Sequence, residues 1–358
     1  MFERQLRQMS AAAISSALDF IRLSVTDDVR VAFVLGTSIL ATMTFIARQV
    51  SKAAAGRILL SDVARVECLS TDRLMHKVVL PARHDAHASK SKRLVLIVPG
   101  NPGVPGFYEP FMRRLHELSG QTNEIVGLSH TGHSLPWING NEAYDLETQV
   151  VDKIAYVRKR IEKDPTLSLV LIGHSIGCHI ALRLLDHFPT TVEKLVLIQP
   201  AVMHIGETPR GRQMMPLFVH HKWVPYLAWP IAQLPTLLKK VLVALFVGPP
   251  EFHKAALGMC DHIVVQNCLK MAWHEMQELQ EIDHDLVSKH QHKIQFVFSD
   301  YDGWCPPHHV ELLQRRYTDA SHIVVPLPHA FMMAADGSDI MAQHTHKWLG
   351  TPMTPPLA

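Results

Sequence analysis

The chain has 358 residues, of which 47% are hydrophobic and 19% are charged, so it can bury the core of one large domain or of two modest ones. Its 35 Lys and Arg residues nearly balance its 33 Asp and Glu residues, and the formal net charge is +2. Nucleic-acid-binding domains usually carry a dominant basic surface, so this balance argues against a nucleic-acid partner.

The cysteines argue against two further classes of protein. Their number is odd and no pair has the spacing CxxC. We therefore predict reduced thiols in a cytosol-facing protein, and neither a disulfide framework nor a zinc site. The five cysteines are Cys68, Cys178, Cys260, Cys268 and Cys305.

Residues 1–56 form an N-terminal extension with one uncharged apolar segment at 31–47. That segment lies at the lower limit of length for crossing a bilayer. It is compatible with a membrane-associated helix and equally with a helix packed on the rest of the protein. The acidic residues Asp19, Asp27 and Asp28 precede it and argue against a secretory signal or an organellar transit sequence.

From residue 57 onward, apolar runs of strand length alternate with segments of helical periodicity. The helical spacing of apolar residues is clearest at 147–162 and 176–188. Continuous apolar strands that alternate with helices predict an α/β fold, a mostly parallel sheet covered by helices on both faces. Strands are predicted at 94–98, 124–128, 169–173, 194–198, 293–298 and 321–325.

The first of these strands runs into a loop rich in proline and glycine, with the sequence PGNPG at 99–103. Such a loop could cradle a phosphate, form a plain turn, or present a backbone amide to a reacting oxygen. A phosphate loop is disfavoured because no G-K-[ST] sequence follows and prolines lack the amides that would bind phosphate. Phe107 and Tyr108 follow the loop, and they suit either a substrate pocket or the packing of a helix over 107–118.

The strongest motif is GHSIG at 173–177, which has the form G-x-S-x-G directly after a strand and directly before a helix. In that context the motif predicts a nucleophile elbow, which holds Ser175 out at the carboxyl end of the strand. Acyl transfer through a tetrahedral intermediate needs two donors at the oxyanion. The Ile176 amide is predicted as one of them. Because Pro102 has no N–H, the Asn101 amide in the PGNPG loop is predicted as the other.

A serine nucleophile needs a base and a carboxylate that orients the base. The predicted strand at 293–298 ends in a turn with two candidate carboxylates, Asp300 and Asp302. The strand at 321–325 is followed by His329, which is the predicted base. His322 lies at the start of that strand, at the far end of the sheet, and is the weaker candidate.

Residues 201–291 interrupt the alternation and are predicted to form a helical, hydrophobic cap. Within them, 214–250 combines several prolines with aromatic and apolar residues. This pattern favours an element that lies in a membrane or lipid-droplet surface, and the alternative is a cap that buries the same residues over a pocket. The predicted surface-binding residues are Trp223, Tyr226, Trp229 and Leu242.

The remaining segments complete the predicted organisation of the chain. Residues 57–200 and 292–350 are predicted to form the two halves of the α/β core, and residues 351–358 are predicted to form a disordered tail.

Four motifs together resemble the lipid droplet-associated hydrolases, a family of α/β-hydrolases, over about residues 74–349. They are PGNPG at 99–103 with Phe107, Tyr108 and Phe111 after it, GHSIG at 173–177, DGWCP at 302–306, and HAF at 329–331. In α/β-hydrolases the acid stands four residues before a proline, so the resemblance favours Asp302 over Asp300. It implies a triad of Ser175, Asp302 and His329. This chain departs from the family at Ser299, where glycine is usual, and in its long N-terminal extension.

The resemblance implies a serine hydrolase that cleaves a lipid carboxylic ester, of the sterol ester or acylglycerol class, through an acyl-enzyme. It implies a lipid droplet or the cytosolic face of the endoplasmic reticulum, although the N-terminal extension is compatible with another membrane. Phe107, Tyr108 and His174 are the predicted pocket residues, and no metal or organic cofactor is implied. The alternative is an organiser of the droplet or membrane surface with weak hydrolase activity. The chain length of the ester, thioester or acyl-transfer chemistry, and the oligomeric state stay open.

Overall fold

The computed structural model describes residues 64–68, 73–83, 93–134 and 142–350. The predicted extension at 1–56, with its apolar segment at 31–47, and the predicted tail at 351–358 lie outside these residues.

The described residues form a single sheet of eight strands in the order β1-β2-β4-β3-β5-β6-β7-β8. The six strands from β4 to β8 in this order run parallel, whereas β1 and β2 pair antiparallel at one edge. The strands are β1 (Ala64–Cys68), β2 (Leu74–Leu80), β3 (Arg93–Val98), β4 (Glu124–Leu128), β5 (Ser168–His174), β6 (Val192–Ile198), β7 (Ile294–Ser299) and β8 (Ser321–Val325). The mostly parallel sheet predicted from the sequence is confirmed.

Helices cover both faces of the sheet. Successive side chains of a strand point to opposite faces, and those of the central strands are apolar, so both faces must be covered. On one face, Leu169 and Leu171 of β5 pack with α2 and α3. On the other, Val170 and Ile172 pack with α1 and α11. The helices are α1 (Glu109–Leu118), α2 (Leu146–Lys163), α3 (Gly177–His187), α4 (Pro209–Val219), α5 (Pro225–Ala232), α6 (Thr236–Phe246), α7 (His253–Gly258), α8 (His262–Glu278), α9 (His284–His290), α10 (Pro307–Arg316) and α11 (Gly337–Leu349).

The interval between β6 and β7, all of it described, contains helices α4 to α9 and no strand. Pro216 lies inside α4 and Pro230 inside α5, and each of them removes one backbone hydrogen-bond donor from its helix. The longest, α8, is capped at its N-terminus by Asp261, whose side chain accepts hydrogen bonds from the amides of Ile263 and Val264. In the part of the chain that the structure describes, no helix is both long enough and apolar enough to cross a membrane.

Candidate active site

The turn between β5 and α3 holds Ser175 in a left-handed backbone conformation, with φ of 53°. The flanking glycines make this turn sterically possible. A Cβ on Gly173 would lie 2.6 Å from the carbonyl oxygen of Gly177, and one on Gly177 would lie 2.2 Å from the carbonyl oxygen of Val98. The backbone is therefore too crowded for side chains at these two positions, and Ser175 is held at the carboxyl end of the central strand.

Ser175, His329 and Asp302 form one hydrogen-bonded row. The Ser175 Oγ lies 2.9 Å from His329 Nε2, and His329 Nδ1 lies 2.8 Å from Asp302 Oδ2. An Nδ1–H that donates to the carboxylate leaves Nε2 free to accept from the serine hydroxyl. The three side chains follow the parallel strands β5, β7 and β8, whose carboxyl ends meet at one edge of the sheet.

The structure brings Asp302, and not Asp300, against His329. Asp302 is 6% exposed, whereas Asp300 is exposed to solvent. Burial by itself would raise the pKa of the Asp302 carboxyl, but the hydrogen bond with His329 and those from the amides of Trp304 and Cys305 hold its pKa below the usual value. Asp302 is therefore suited to stay ionised beside the imidazole.

The PGNPG loop passes directly beside Ser175. A Cβ on Gly100 would lie 2.8 Å from the Ser175 Cβ. Among the described residues, no acceptor takes a hydrogen bond from the Asn101 amide or from the Ile176 amide. Within the described residues, both amides predicted as oxyanion donors are therefore available to donate to an oxyanion.

Tyr108 and His174, predicted as pocket residues, are buried and hydrogen-bonded to each other. The Gly100 amide donates to the Tyr108 hydroxyl oxygen over 2.9 Å, and that hydroxyl donates to His174 Nδ1 over 2.7 Å. On the other side of the ring, Nε2 donates to the carbonyl oxygen of His329 over 2.8 Å. This row of hydrogen bonds joins the PGNPG loop to the loop that carries His329.

Burial lowers the pKa of His174 to about 3, with the neighbouring His329 acting in the same direction. His174 therefore stays neutral at physiological pH and can accept at Nδ1 while it donates at Nε2. Phe107, the third predicted pocket residue, is half-buried and packs against Phe252 near the start of α7, with ring centroids 5.9 Å apart. Phe107 thus contacts the cap.

Two groups of residues near the site were missed from the sequence. The segment SHTGH at 129–133 follows β4, and His133 Nδ1 donates to the carbonyl oxygen of Pro102 over 2.8 Å. Its glycine and histidines directly after a strand were a signal that could have been used. Glu275, in the last turn of α8, accepts a hydrogen bond from the Asn101 side chain. Nothing in the sequence around Glu275 distinguishes it from an exposed helical glutamate.

The fold and this arrangement of side chains define an α/β-hydrolase. Solved structures with the same fold include a thermophilic esterase from Thermogutta terrifontis, with a TM-score of 0.53 and 13% identity, covering 79% of this chain and 95% of that one. A haloalkane dehalogenase from Agrobacterium tumefaciens has a TM-score of 0.57 and 12% identity, covering 81% of this chain and 98% of that one. At these identities the likeness establishes the fold alone.

The family is established by sequence. The model of the lipid-droplet associated hydrolase family matches residues 91–332. The chain is similar to the human lipid droplet-associated hydrolase, with 29% identity over 270 residues, 70% of this chain and 82% of the relative. It is also similar to the Drosophila melanogaster protein of that name, with 28% identity over 281 residues, 71% of this chain and 90% of the relative. This chain belongs to the lipid-droplet associated hydrolase family, which confirms the resemblance seen in its motifs.

Proposed function

We propose that this protein is a serine hydrolase that cleaves a lipid carboxylic ester, of the sterol ester or acylglycerol class, at the surface of a lipid droplet or the endoplasmic reticulum. The observation that carries the proposal is the row from Ser175 Oγ to His329 Nε2, at 2.9 Å, and from His329 Nδ1 to Asp302 Oδ2, at 2.8 Å. The names of the relatives support a lipid droplet as the place of action.

In the proposed reaction, Ser175 Oγ attacks the ester carbonyl carbon while His329 Nε2 takes the hydroxyl proton. Asp302 orients the imidazole and stabilises its charged form. The negative charge on the carbonyl oxygen is held by the amides of Asn101 and Ile176. The tetrahedral intermediate collapses, the C–O bond to the alcohol breaks, and His329 gives its proton to the leaving oxygen. Water then attacks the acyl-enzyme by the same route, which releases the acid and restores Ser175.

A fluorophosphonate probe tests this mechanism directly. Because the probe phosphonylates an activated serine hydroxyl, we expect one adduct on Ser175, located by intact mass and peptide mapping. The adduct should be absent from the His329→Ala variant, which lacks the base. The His308→Ala variant, in which an exposed histidine of α10 is removed, is the matched control and should be labelled like the native protein. Equal labelling of the His329→Ala variant would contradict the mechanism.

The cap supplies the surface that we propose binds the lipid. Helices α5 and α6 and their connections expose large apolar side chains that the core does not cover. Leu237 and Leu245 are each 71% exposed, and they lie on α6. Exposed apolar patches of this kind mark sites of interaction with membranes or partners. The exposed members are Trp223, Tyr226, Leu227, Trp229, Leu237, Val241, Leu245 and Phe246.

Of the four residues predicted for surface binding, three are exposed. Trp223 is 50% exposed, Tyr226 56% and Trp229 46%. The fourth, Leu242, is half-buried. A helix with one buried side must turn some apolar residues inward, and on α6 the buried residue is Val243, next to Leu242. The most exposed leucines of α6 are thus better choices for a test of lipid binding than Leu242.

The double variant Leu237→Glu with Leu245→Glu should lose flotation with triolein droplets coated in phospholipid. Two carboxylates would have to leave water on binding, which opposes insertion of the apolar face. Its turnover of a water-soluble ester should stay within about twofold of native, since exposed substitutions are usually mild. The matched control, Val151→Glu with Leu312→Glu, changes two exposed apolar residues of α2 and α10 and should float normally. Unchanged flotation of the cap variant would overturn this role of the surface.

A second function is favoured by the extent of this apolar surface, which the chemistry at Ser175 does not require. In that alternative the protein chiefly organises a droplet or membrane surface, and its hydrolase activity is weak. The two proposals differ in the fluorophosphonate experiment. Labelling of Ser175 supports the enzyme, whereas absence of labelling in folded protein with lipid present supports the organiser.

A further inference from the structure

The PGNPG loop is held from two sides. From the core, Tyr108 accepts a hydrogen bond from the Gly100 amide, and His133 donates one to the Pro102 carbonyl. From the cap, helix α8 accepts hydrogen bonds from the side chain of Asn101. The Asn101 Nδ2 donates to the carbonyl oxygen of Cys268 over 2.9 Å and to Glu275 Oε1 over 3.1 Å. Both donor hydrogens of this amide are therefore engaged by one cap helix.

Helix geometry explains how two residues seven positions apart serve one amide. The carbonyl of Cys268 points toward the C-terminus of α8, whereas the side chain of Glu275 points back toward its N-terminus. The two acceptors meet on the inward face of the helix. Glu275 is only 6% exposed, while Glu278, one turn further on, is exposed and pairs with His274. Glu275 is thus directed at the PGNPG loop and away from solvent.

We propose that Glu275 is a positioning residue that fixes the Asn101 amide for the developing oxyanion, by holding the Asn101 side chain from the cap. This inference rests on the proposed hydrolase function. The side chain and the amide belong to one residue, so a hydrogen bond that restrains the side chain also restricts the peptide beside it. A donor in an oxyanion hole contributes most when it is already in place before the charge forms.

The chemistry of Glu275 fits this role. Burial raises its pKa to about 8, although the hydrogen bond from Asn101 acts in the opposite direction. Near pH 7 the side chain is mostly neutral, so it can accept from Asn101 without placing a full negative charge near the oxyanion. A glutamine has the same shape and the same carbonyl acceptor, and it should replace Glu275 with little loss.

The position of α8 also joins the two parts of the proposed function. This helix packs against α4 and against α5. Helix α5 carries Tyr226 and Trp229, which belong to the exposed apolar surface of the cap. A single helix thus lies between the proposed lipid-binding surface and the loop beside Ser175.

The inference is tested on purified full-length protein with 4-nitrophenyl butyrate, a soluble ester that does not depend on lipid binding. In the Glu275→Leu variant we expect kcat to fall about tenfold while KM stays within about twofold, because a misplaced donor affects the transition state more than substrate binding. Glu275→Gln should keep at least about half of native kcat. Glu278→Leu makes the same change at the exposed neighbour and should leave kcat unchanged.

A double-mutant cycle separates this link from general damage to the fold. Asn101→Ala removes the side-chain donor but keeps the backbone amide, so its kcat should fall at least as far as that of Glu275→Leu. The double variant should be no slower than Asn101→Ala alone, since Asn101→Ala has already removed the hydrogen bond to Glu275. Additive losses, or a native kcat in Glu275→Leu, would overturn the proposal. Thermal unfolding of each variant checks folding, and if Glu275→Leu does not fold, a native kcat in Asn101→Ala overturns it equally.

The outcome is distinguishable from failure of the proposed function. If Ser175→Ala retains activity, the hydrolase mechanism itself is wrong. If Ser175→Ala is inactive while Glu275→Leu has native kcat, the mechanism stands and only the role of Glu275 is lost. The rate of fluorophosphonate labelling of Ser175 is a second readout, because the phosphoryl oxygen of the probe takes the place of the oxyanion. That rate should fall in Glu275→Leu in parallel with kcat.

Discussion

Ser175→Ala is expected to lower kcat on a soluble ester by at least about 10⁴-fold, with the residual rate supplied by the oxyanion donors and substrate binding alone. The variant lacks the oxygen that forms the acyl-enzyme, which is the hydroxyl that lies 2.9 Å from His329 Nε2. The measurement is steady-state hydrolysis of 4-nitrophenyl butyrate, together with the thermal unfolding of the same preparation.

Ser338→Ala is the matched control for this substitution. Ser338 lies on α11, and its Oγ is buried without a hydrogen-bond partner among the described residues. Removing that hydroxyl should leave kcat and thermal stability unchanged, because no hydrogen bond is lost. Native activity in a correctly folded Ser175→Ala protein would show that hydrolysis does not depend on Ser175, and would contradict the mechanism.

Asp302→Asn is expected to lower kcat by about 10⁴-fold with little change in KM. The carboxylate accepts from His329 Nδ1 over 2.8 Å, which keeps the imidazole in the tautomer whose Nε2 can take the serine proton. An asparagine can present an N–H at the same place, which favours the opposite tautomer and leaves no base for Ser175. Burial of Asp302, with the amide of Trp304 donating to Oδ1 over 2.8 Å, fixes the carboxyl in this orientation.

The control is Asp300→Asn, the same change two residues earlier in the same turn. Asp300 is exposed, so its kcat should stay within about twofold of native. The pair is measured under identical conditions on the same soluble ester. If Asp300→Asn shows the large loss and Asp302→Asn does not, the acid has been assigned to the wrong residue.

The order of the core elements could be predicted from local sequence. A buried parallel strand is a short continuous apolar run, and six such runs mark the six parallel strands with bounds correct to one or two residues. The two antiparallel strands at the edge were missed. β2 has the sequence LMHKVVL and β1 the sequence ARVEC, and in both strands polar residues interrupt the apolar run. In β2 the partly exposed Lys77 breaks the apolar run on which the prediction depends.

The elbow could also be predicted, because its requirement is local. A left-handed Ser175 between a strand and a helix needs glycine at the neighbouring positions where any Cβ would meet backbone, and those glycines are visible in the sequence. The choice between Asp300 and Asp302 is different, because the local pattern left it open and only the family resemblance favoured Asp302. Both residues lie in the loop after β7. The conformation of that loop places the Asp302 side chain, and not that of Asp300, against His329.

The amino-acid sequence by itself thus determined the α/β architecture, the family and the chain positions of Ser175, His329 and the PGNPG loop, since each depends on a pattern within a few residues. Tertiary structure decided which side chains meet. It joined His174 to the carbonyl of His329, 155 residues away, and Asn101 to Glu275, 174 residues away. It also decided that Leu237 and Leu245 face solvent while Leu242 is half-buried. Hydrogen bonds require partners within about 3 Å, and such distances arise from the packing of distant segments, which no local pattern encodes.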